Sequence, residues 1–237
     1  MKTLLIKQPA GLGDILFSLK IAQHYINAGY VVVWPVIQEY VCLNDYVNIT
    51  GLTFYDWKGE FPYKDIYQTE SKIIFEQNDV LFVPLNWALT HFPGEQTMIA
   101  KYKLINIDYT DWSNYFNFKR NIDKENKLYY DVLKLDDSTI YNFVNNNFGS
   151  PPTHLVYNNI QLRNTNDVVN MQFIEGYTIF DWCKVLENAS EIYMVDSGLN
   201  YIIEKLTLKT NKLYLYPRYG QQTIFELKGL FKTKWAY

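Results

Sequence analysis

The sequence predicts an α/β protein made of two halves, each a parallel sheet flanked by helices. Short runs of β-branched and aromatic residues alternate with amphipathic stretches along the 237 residues. The runs at 30–36 and 192–195 are almost continuously apolar, which is typical of strands buried on both faces. A polar segment at 108–127 separates the halves, and the same rhythm restarts after it. At about 100–200 residues per domain, this length accommodates two compact domains.

Composition narrows the class of protein. Hydrophobic residues make up 48% and charged residues 20% of the chain, which indicates a globular protein. The net charge of −3 gives no general positive field for a polyanion, so nucleic acid is a disfavoured partner unless a local basic patch exists. Two distant cysteines favour a reducing compartment, and the first six residues are too short for a signal peptide. With no long apolar run, we expect a soluble, cytoplasmic protein without a membrane span.

The first half opens with a strand, a turn and a helix. The helix is predicted over residues 14–28, because Ile15, Leu19, Ala22 and Ile26 recur on one face and Gly29 follows as a stop signal. A right-handed crossover should then return the chain to a parallel strand. The predicted strands of this half are residues 4–8, 30–36, 52–55, 73–75 and 80–84.

The second half repeats this pattern. Thr178 and Asp181 form a T-x-x-D capping signature that opens one helix, and a second helix is predicted over 199–206. A further helix in the tail, 221–237, is expected to return to the first half. The predicted strands are residues 140–144, 155–157, 168–171, 192–195 and 213–216. The predicted domains are therefore residues 1–130 and 131–220, followed by the tail.

A glycine turn between the first strand and the first helix is the first candidate ligand site. Gly11 and Gly13 would let a ligand approach the backbone closely, and the start of the helix offers free N–H groups. A dinucleotide-binding fingerprint would need a third glycine where Leu16 stands, which argues against a nicotinamide or flavin enzyme. The alternative interpretation is a tight turn with Asp14 as a helix cap.

A second turn, Asp196-Ser197-Gly198, also follows a strand and opens a helix. The hydroxyl of Ser197 and the N–H groups of Gly198 and the next residue could converge on a diphosphate, and Asn200 completes the motif. A hydrolase nucleophile elbow would need glycines two residues before and two residues after Ser197, where Val195 and Leu199 stand. Capping of the helix by Asp196 or Ser197 is the alternative.

These motifs together resemble GT-B glycosyltransferases. The resemblance rests on the Gly-Leu-Gly-Asp turn, on residues 141–150, and on the run from Ile174 through Asp196-Ser197-Gly198 to residue 218. The most similar family is the ADP-heptose heptosyltransferases, glycosyltransferase family 9. This resemblance implies two facing Rossmann-like domains with a cleft between them. The first would bind the acceptor and the second the donor nucleotide, in a trimmed form, because the chain is shorter than typical members.

The resemblance also implies roles for single residues. Asp14 matches the proposed base that deprotonates the acceptor hydroxyl, Ser197 and Gly198 match the turn that holds the donor diphosphate, and Glu175 matches a residue that holds a ribose. Asparagines at 145–147 stand where the family often has a charged residue in its phosphate loop. Arg163 and Arg218 each follow a predicted strand and are therefore the candidates for binding phosphate, with solvated surface arginines as the alternative.

The implied reaction is transfer of a sugar from a nucleotide-diphosphate sugar to a hydroxyl of a glycan or another acceptor, with inversion. No metal and no cofactor are expected, because the chain has no D-x-D triplet and no ligand spacing among His24, His91 and His154. Three alternatives share the fold: a sugar-nucleotide epimerase, a glycosyltransferase acting on DNA bases, and a non-catalytic nucleotide-binding or assembly protein.

Overall fold

The computed structural model describes residues 2–151, 155–218, 227 and 229–237. The chain divides into two compact units, Met1–Lys119 and Arg120–Tyr237. The division comes earlier than the predicted boundary at residue 130. Arg120 explains this, because its guanidinium pairs with Glu125 and Glu187, both inside the second unit.

The first unit contains a five-stranded sheet in the order β3-β2-β1-β5-β4. All neighbouring pairs are parallel except β4 with β5, which form an antiparallel edge. The chain runs from β1 outward through β2 to β3 and then crosses to the other side of β1, where it forms the edge strand β4 before β5. A topological switch point therefore lies between β1 and β5. The strands are β1 Thr3–Ile6, β2 Val31–Val36, β3 Leu52–Asp56, β4 Phe75–Gln77 and β5 Val80–Val83.

The helix predicted over residues 14–28 is divided into α1 and α2. The break falls at Ser18, whose φ of −85° and ψ of 3° are not helical and whose hydroxyl is buried. The backbone N–H of Ser18 is shared between the carbonyls of Asp14 and Ile15, so the last turn of α1 tightens toward 3₁₀ geometry at the break. The helices of this unit are α1 Leu12–Phe17, α2 Leu19–Asn27, α3 Leu43–Tyr46, α4 Lys64–Tyr67, α5 Ala88–His91 and α6 Thr97–Leu104.

The sheet of the first unit is covered on both faces. Alternate residues of a strand point to opposite faces, so the fully buried Leu5 belongs to one core and Leu4 and Ile6 belong to the other. Around Leu5 lie buried residues of β2, β5, α4 and the segment before α4: Val33, Phe61, Ile66, Tyr67, Val80 and Phe82. Burial on both faces explains why β1 reads as a continuous apolar run.

The second unit contains a four-stranded parallel sheet in the order β11-β10-β6-β9. The chain moves from β6 to β9 on one side and then crosses to β10 on the other, so the switch point lies between β6 and β10. A small antiparallel hairpin, β7 with β8, follows β6. The strands are β6 Tyr141–Asn145, β7 Asn147–Phe148, β8 Leu155–Val156, β9 Asp167–Asn170, β10 Glu191–Val195 and β11 Leu213–Tyr216.

The helices of the second unit are short. The capping signature is confirmed: the backbone N–H of Thr178 donates to the carboxylate of Asp181 at 2.7 Å, and a 3₁₀ turn, Ile179–Trp182, leads into α8. Helix α9 is shorter than the predicted 199–206. The α-helices are α7 Ile122–Asn126, which continues into a π-helical turn, α8 Cys183–Asn188 and α9 Leu199–Ile203.

The tail belongs to the second unit where it is described. Residues 221–226 and 228 of the predicted tail helix lie outside the described residues, and residues 229–237 contain no helix. Ala236 instead forms a parallel bridge with Tyr214 of β11, and its backbone bonds to Leu213 and Leu215. The described end of the tail therefore satisfies backbone groups along an edge strand of this unit, and the return of the tail to the first half stays a prediction.

Each unit is thus a mixed α/β layer structure with a parallel, Rossmann-like sheet. Every helix within the described residues is too short or too polar to cross a membrane. The facing arrangement of the two units and a cleft between them stay predictions.

Candidate functional site

The glycine turn of the first unit lies beyond the carboxyl end of β1, beside the switch point. Gly11 has a φ of 82°, in the left-handed region that favours glycine, and immediately precedes α1. A side chain at Gly11 would overlap the carboxylate of Asp14, which folds back over the turn. Gly13 lies inside α1. Of the two glycines, Gly11 is therefore the one that this turn requires.

A buried lysine holds the carboxylate of Asp14. The ammonium of Lys101, on α6, lies 2.8 Å from Asp14 Oδ1, and only 2% of the Lys101 side chain is exposed. The same ammonium donates to Gln8 Oε1 at 2.8 Å, and Gln8 in turn donates to the carbonyl of Ala10 at 2.6 Å. A charge this deeply buried must be paired and hydrogen-bonded. The network therefore fixes both the turn and the direction of the Asp14 carboxylate.

Asp14 is the accessible member of this network. Its side chain is 30% exposed, so a ligand can reach the carboxylate while Lys101 holds it from behind. A carboxylate in a fixed position within hydrogen-bond reach of a hydroxyl can accept the hydroxyl proton. This geometry can therefore support the role of base that the family resemblance implies for Asp14.

In the second unit, the turn at Ser197 lies at the switch point between β6 and β10. Asn145, the last residue of β6, donates its amide to Ser197 Oγ at 3.1 Å. The backbone N–H of Ser197 donates to Asn200 Oδ1 at 2.9 Å, and Asn200 is fully buried. The Nδ2 of Asn200 has no hydrogen-bond partner among the described residues. The turn is thus built from polar side chains at the edge where α/β folds bind ligands.

The turn leads directly into α9. The first N–H groups of a helix have no acceptor within the helix, so those of Gly198 and Leu199 can serve a ligand. Gly198 has a φ of −57° and a ψ of −21°, which any residue adopts. Its backbone conformation therefore does not require glycine, in contrast to Gly11.

Arg218 reaches this edge but is already engaged. Its Nε and Nη2 donate to Asp196 Oδ2 at 3.0 and 2.9 Å, and its guanidinium lies 5.6 Å from the ring centre of Phe148. The carboxylate of Asp196 is 6% exposed and therefore shielded from solvent, whereas the Arg218 side chain is 31% exposed. Arg218 therefore places a cation beside the Ser197 turn. Its positive charge, which was predicted to bind phosphate, is already neutralised by Asp196.

Arg163 does not lie at this edge. Its backbone N–H donates to the hydroxyl of Tyr193 at 2.9 Å, and its guanidinium lies 4.2 Å from the ring centre of Tyr214. Both tyrosines project from within their strands. Tyr193 lies three residues before Asp196, which is about 10 Å along an extended strand. Arg163 therefore packs across a face of the sheet, where the chain before β9 runs as irregular backbone.

A buried acid strengthens this packing at the amino end of β10. Tyr193 donates its hydroxyl to Glu191, and Lys212 lies 2.9 Å from the same carboxylate. Burial, together with the hydrogen bond to Glu191, raises the pKa of Tyr193 to about 12. Burial alone would raise the pKa of Glu191, but the hydrogen bonds from Tyr193 and Lys212 outweigh it and hold that pKa below its usual range. This network is at the end of the sheet opposite the Ser197 turn.

Glu175 is exposed in a turn between β9 and the capping box. The turn includes Gly176, whose carbonyl accepts from Lys124 at 3.1 Å. This segment follows the carboxyl end of β9, which is the edge strand two positions from β10. Glu175 is therefore on the correct side of the sheet for a nucleotide, but no described contact joins it to the Ser197 turn.

Three residues of these sites were not predicted from the sequence. Lys101 and Gln8 are separated by 93 positions, and their pairing depends on how α6 packs, which no local pattern indicates. Asn145 was noted only because it stands where a charged residue was expected, although it is the hydrogen-bond partner of the Ser197 hydroxyl. Among the described residues, no group of three histidine, cysteine or acidic side chains could hold a metal ion, and His154 lies outside them.

Comparisons with known proteins find a likeness among solved structures. No protein-family profile and no curated protein matches the chain. Among solved structures, the chain is similar to a glycosyl transferase family 9 protein from Veillonella parvula DSM 2008, with 12% sequence identity and a TM-score of 0.46. The match covers 91% of this chain and 80% of that one. A likeness of this size decides neither fold nor function, so we infer the function from the chain's own residues.

Proposed function

We propose that the chain is a glycosyltransferase that binds a nucleotide-diphosphate sugar at the carboxyl edge of its second unit. One observation carries the proposal: at the switch point between β6 and β10, Asn145 bonds to Ser197, and Arg218 bonds to the neighbouring Asp196. Parallel α/β sheets bind their ligands at this position. The hydroxyl of Ser197 and the first N–H groups of α9 are the donors that a diphosphate requires.

The chemistry follows from the two turns. In the proposed reaction, an acceptor hydroxyl attacks the anomeric carbon while the bond from that carbon to the diphosphate breaks. Asp14 takes the hydroxyl proton, and the donors at Ser197 stabilise the negative charge that develops on the departing diphosphate. Attack opposite the leaving group inverts the anomeric carbon. The proposal includes a facing arrangement of the two units, because Asp14 and Ser197 belong to different units.

Thermal unfolding in the presence of a panel of nucleoside diphosphates and their sugars tests donor binding. A ligand at 100 times its Kd adds about 2.7 kcal/mol to the free energy of unfolding. We expect stabilisation by at least one nucleoside diphosphate, and a weaker response in Ser197→Ala. Ser138→Ala is the matched control, because Ser138 is an exposed serine in another turn of the same unit. Absence of a response to every nucleotide would refute the proposal and favour a non-catalytic protein.

Turnover separates the remaining alternatives. The ligand found in the panel is incubated with acceptor sugars, and release of nucleoside diphosphate is measured. We expect release that depends on the acceptor. Conversion of the donor sugar without any acceptor would favour an epimerase, and transfer only to DNA would favour a base-modifying enzyme.

A further inference from the structure

The hydrogen bond between Asn145 and Ser197 has a defined direction. Only 4% of Asn145 is exposed, so both ends of its amide need partners. The backbone N–H of Asn147 lies 3.2 Å from Asn145 Oδ1 and can only donate, so the atom facing it must be the oxygen. The NH₂ group therefore faces Ser197 Oγ, at 3.1 Å.

This direction determines what Ser197 offers to a ligand. A hydroxyl that accepts a hydrogen bond from an amide must point its own hydrogen elsewhere. The backbone N–H of Ser197 is already bonded to Asn200, so the serine is held from two sides. Its hydroxyl is therefore prepared to donate one hydrogen bond, to a group that needs a donor.

We propose that Asn145 is a positioning residue that orients the Ser197 hydroxyl as a donor to a phosphate oxygen. This inference rests on the proposed function and deepens it, because it assigns a role to the asparagine that replaces a charged residue in the phosphate loop. Ionised phosphate oxygens only accept hydrogen bonds, so the site selects them without a charged side chain in that loop. Asn145 acts through Ser197 and need not touch the ligand.

The test is a double-mutant cycle on nucleotide affinity. The probe is the nucleoside diphosphate that stabilises the unaltered protein most, titrated calorimetrically into Asn145→Ala, Ser197→Ala and the double variant. Hydrogen bonds to charged groups contribute about 1.5–3 kcal/mol, which corresponds to roughly 10- to 150-fold in Kd. We expect Ser197→Ala to weaken binding within this range and Asn145→Ala to weaken it by a smaller factor. In the Ser197→Ala background, we expect Asn145→Ala to have no further effect.

Two variants that each introduce one negative charge keep the test decisive if Asn145→Ala unfolds. Asn145→Asp replaces the amide donor by an acceptor, so the Ser197 hydroxyl would turn toward the carboxylate and away from the ligand. Asn146→Asp adds the same charge one residue later, where no described side-chain contact reaches Ser197. We expect Asn145→Asp to weaken binding at least about 10-fold more than Asn146→Asp.

The outcomes separate this inference from the proposed function. If the unaltered protein binds no nucleoside diphosphate, both are overturned. If it binds one and Asn145→Ala keeps the full affinity, only the positioning role is overturned. The positioning role is also overturned if Asn145→Ala weakens binding equally with and without the Ser197 hydroxyl, because the effect would then be structural.

Discussion

The pair of Lys101 and Asp14 gives the sharpest prediction for the first unit. Asp14→Asn would leave the Lys101 ammonium, which is 2% exposed, without its counterion, because an amide oxygen can accept its hydrogen bond but carries no negative charge. Removing one partner of a buried ion pair costs about 3–5 kcal/mol. Because Asp14 itself is 30% exposed and can be hydrated, we expect a cost at the lower end of that range.

Lys101→Met should cost less than Asp14→Asn. Methionine fills a similar volume, the carboxylate of Asp14 can turn toward water, and the main loss is the donor to Gln8, at about 1–3 kcal/mol. The double variant, Asp14→Asn with Lys101→Met, should be more stable than Asp14→Asn alone. The coupling energy should lie within the roughly 0.5–3 kcal/mol range found for residues in contact.

Urea unfolding followed by tryptophan fluorescence measures these free energies. Buried Trp34 donates to the carbonyl of Gln8 at 3.1 Å, so it reports on the network directly. Lys103→Met is the control on the same helix, because Lys103 is 51% exposed in its pair with Glu95 and should contribute less than about 1 kcal/mol. Additive effects of Asp14→Asn and Lys101→Met would refute the pairing.

The pairing of Asp14 with Lys101 complicates the interpretation of turnover measured in Asp14→Asn. Asp14→Asn alone would remove the proposed base and also leave a buried charge unpaired. Loss of turnover in the single variant would therefore not separate the two effects. The double variant with Lys101→Met restores the charge balance, so a loss of turnover that persists there reports on the base.

Three further predictions concern stability. The pKa of Glu191 lies below its usual 4.5 in the folded protein, so the stability that its ionised carboxylate contributes is present above pH 4.5 and is lost as the pH falls below that. Glu191→Gln should therefore reduce the pH dependence of the urea midpoint between pH 7 and 3, and an unchanged pH dependence would contradict this. Arg120→Met should cost about 3–5 kcal/mol in urea unfolding, because Glu125, 1% exposed, loses its partner; a cost under about 1 kcal/mol would contradict the burial of this pair. Gly11→Ala should destabilise by at least about 1 kcal/mol in thermal unfolding, whereas Gly198→Ala should change stability by less than that, and equal effects would refute the assigned backbone conformations.

The strands could be predicted from sequence because burial on both faces gives a strong local pattern. Residues 213–216 were predicted as the strand that the structure contains, and most other strands differ by one or two residues at their ends. The break at Ser18 was missed, since the apolar period of α1 continues into α2 on the same face. The order of the strands could not be predicted, because pairing between distant strands leaves no mark on local composition.

The sites could be predicted only in part, because contacts between distant elements also leave no mark on local composition. Gly11 and Ser197 follow strands at the carboxyl edge of each sheet, so their positions follow from local pattern and topology together. The partners Lys101 and Asn145 come from distant elements. Arg163 follows a predicted strand too, but the backbone there crosses the sheet face and does not continue to the edge.

A crystal structure with a nucleoside diphosphate bound tests the central claim most directly. We expect the diphosphate at the carboxyl edge of β6 and β10, within hydrogen-bond distance of the Ser197 hydroxyl. A nucleotide seated over Arg163 and Tyr214, or anywhere in the first unit, would contradict the assignment of the donor site.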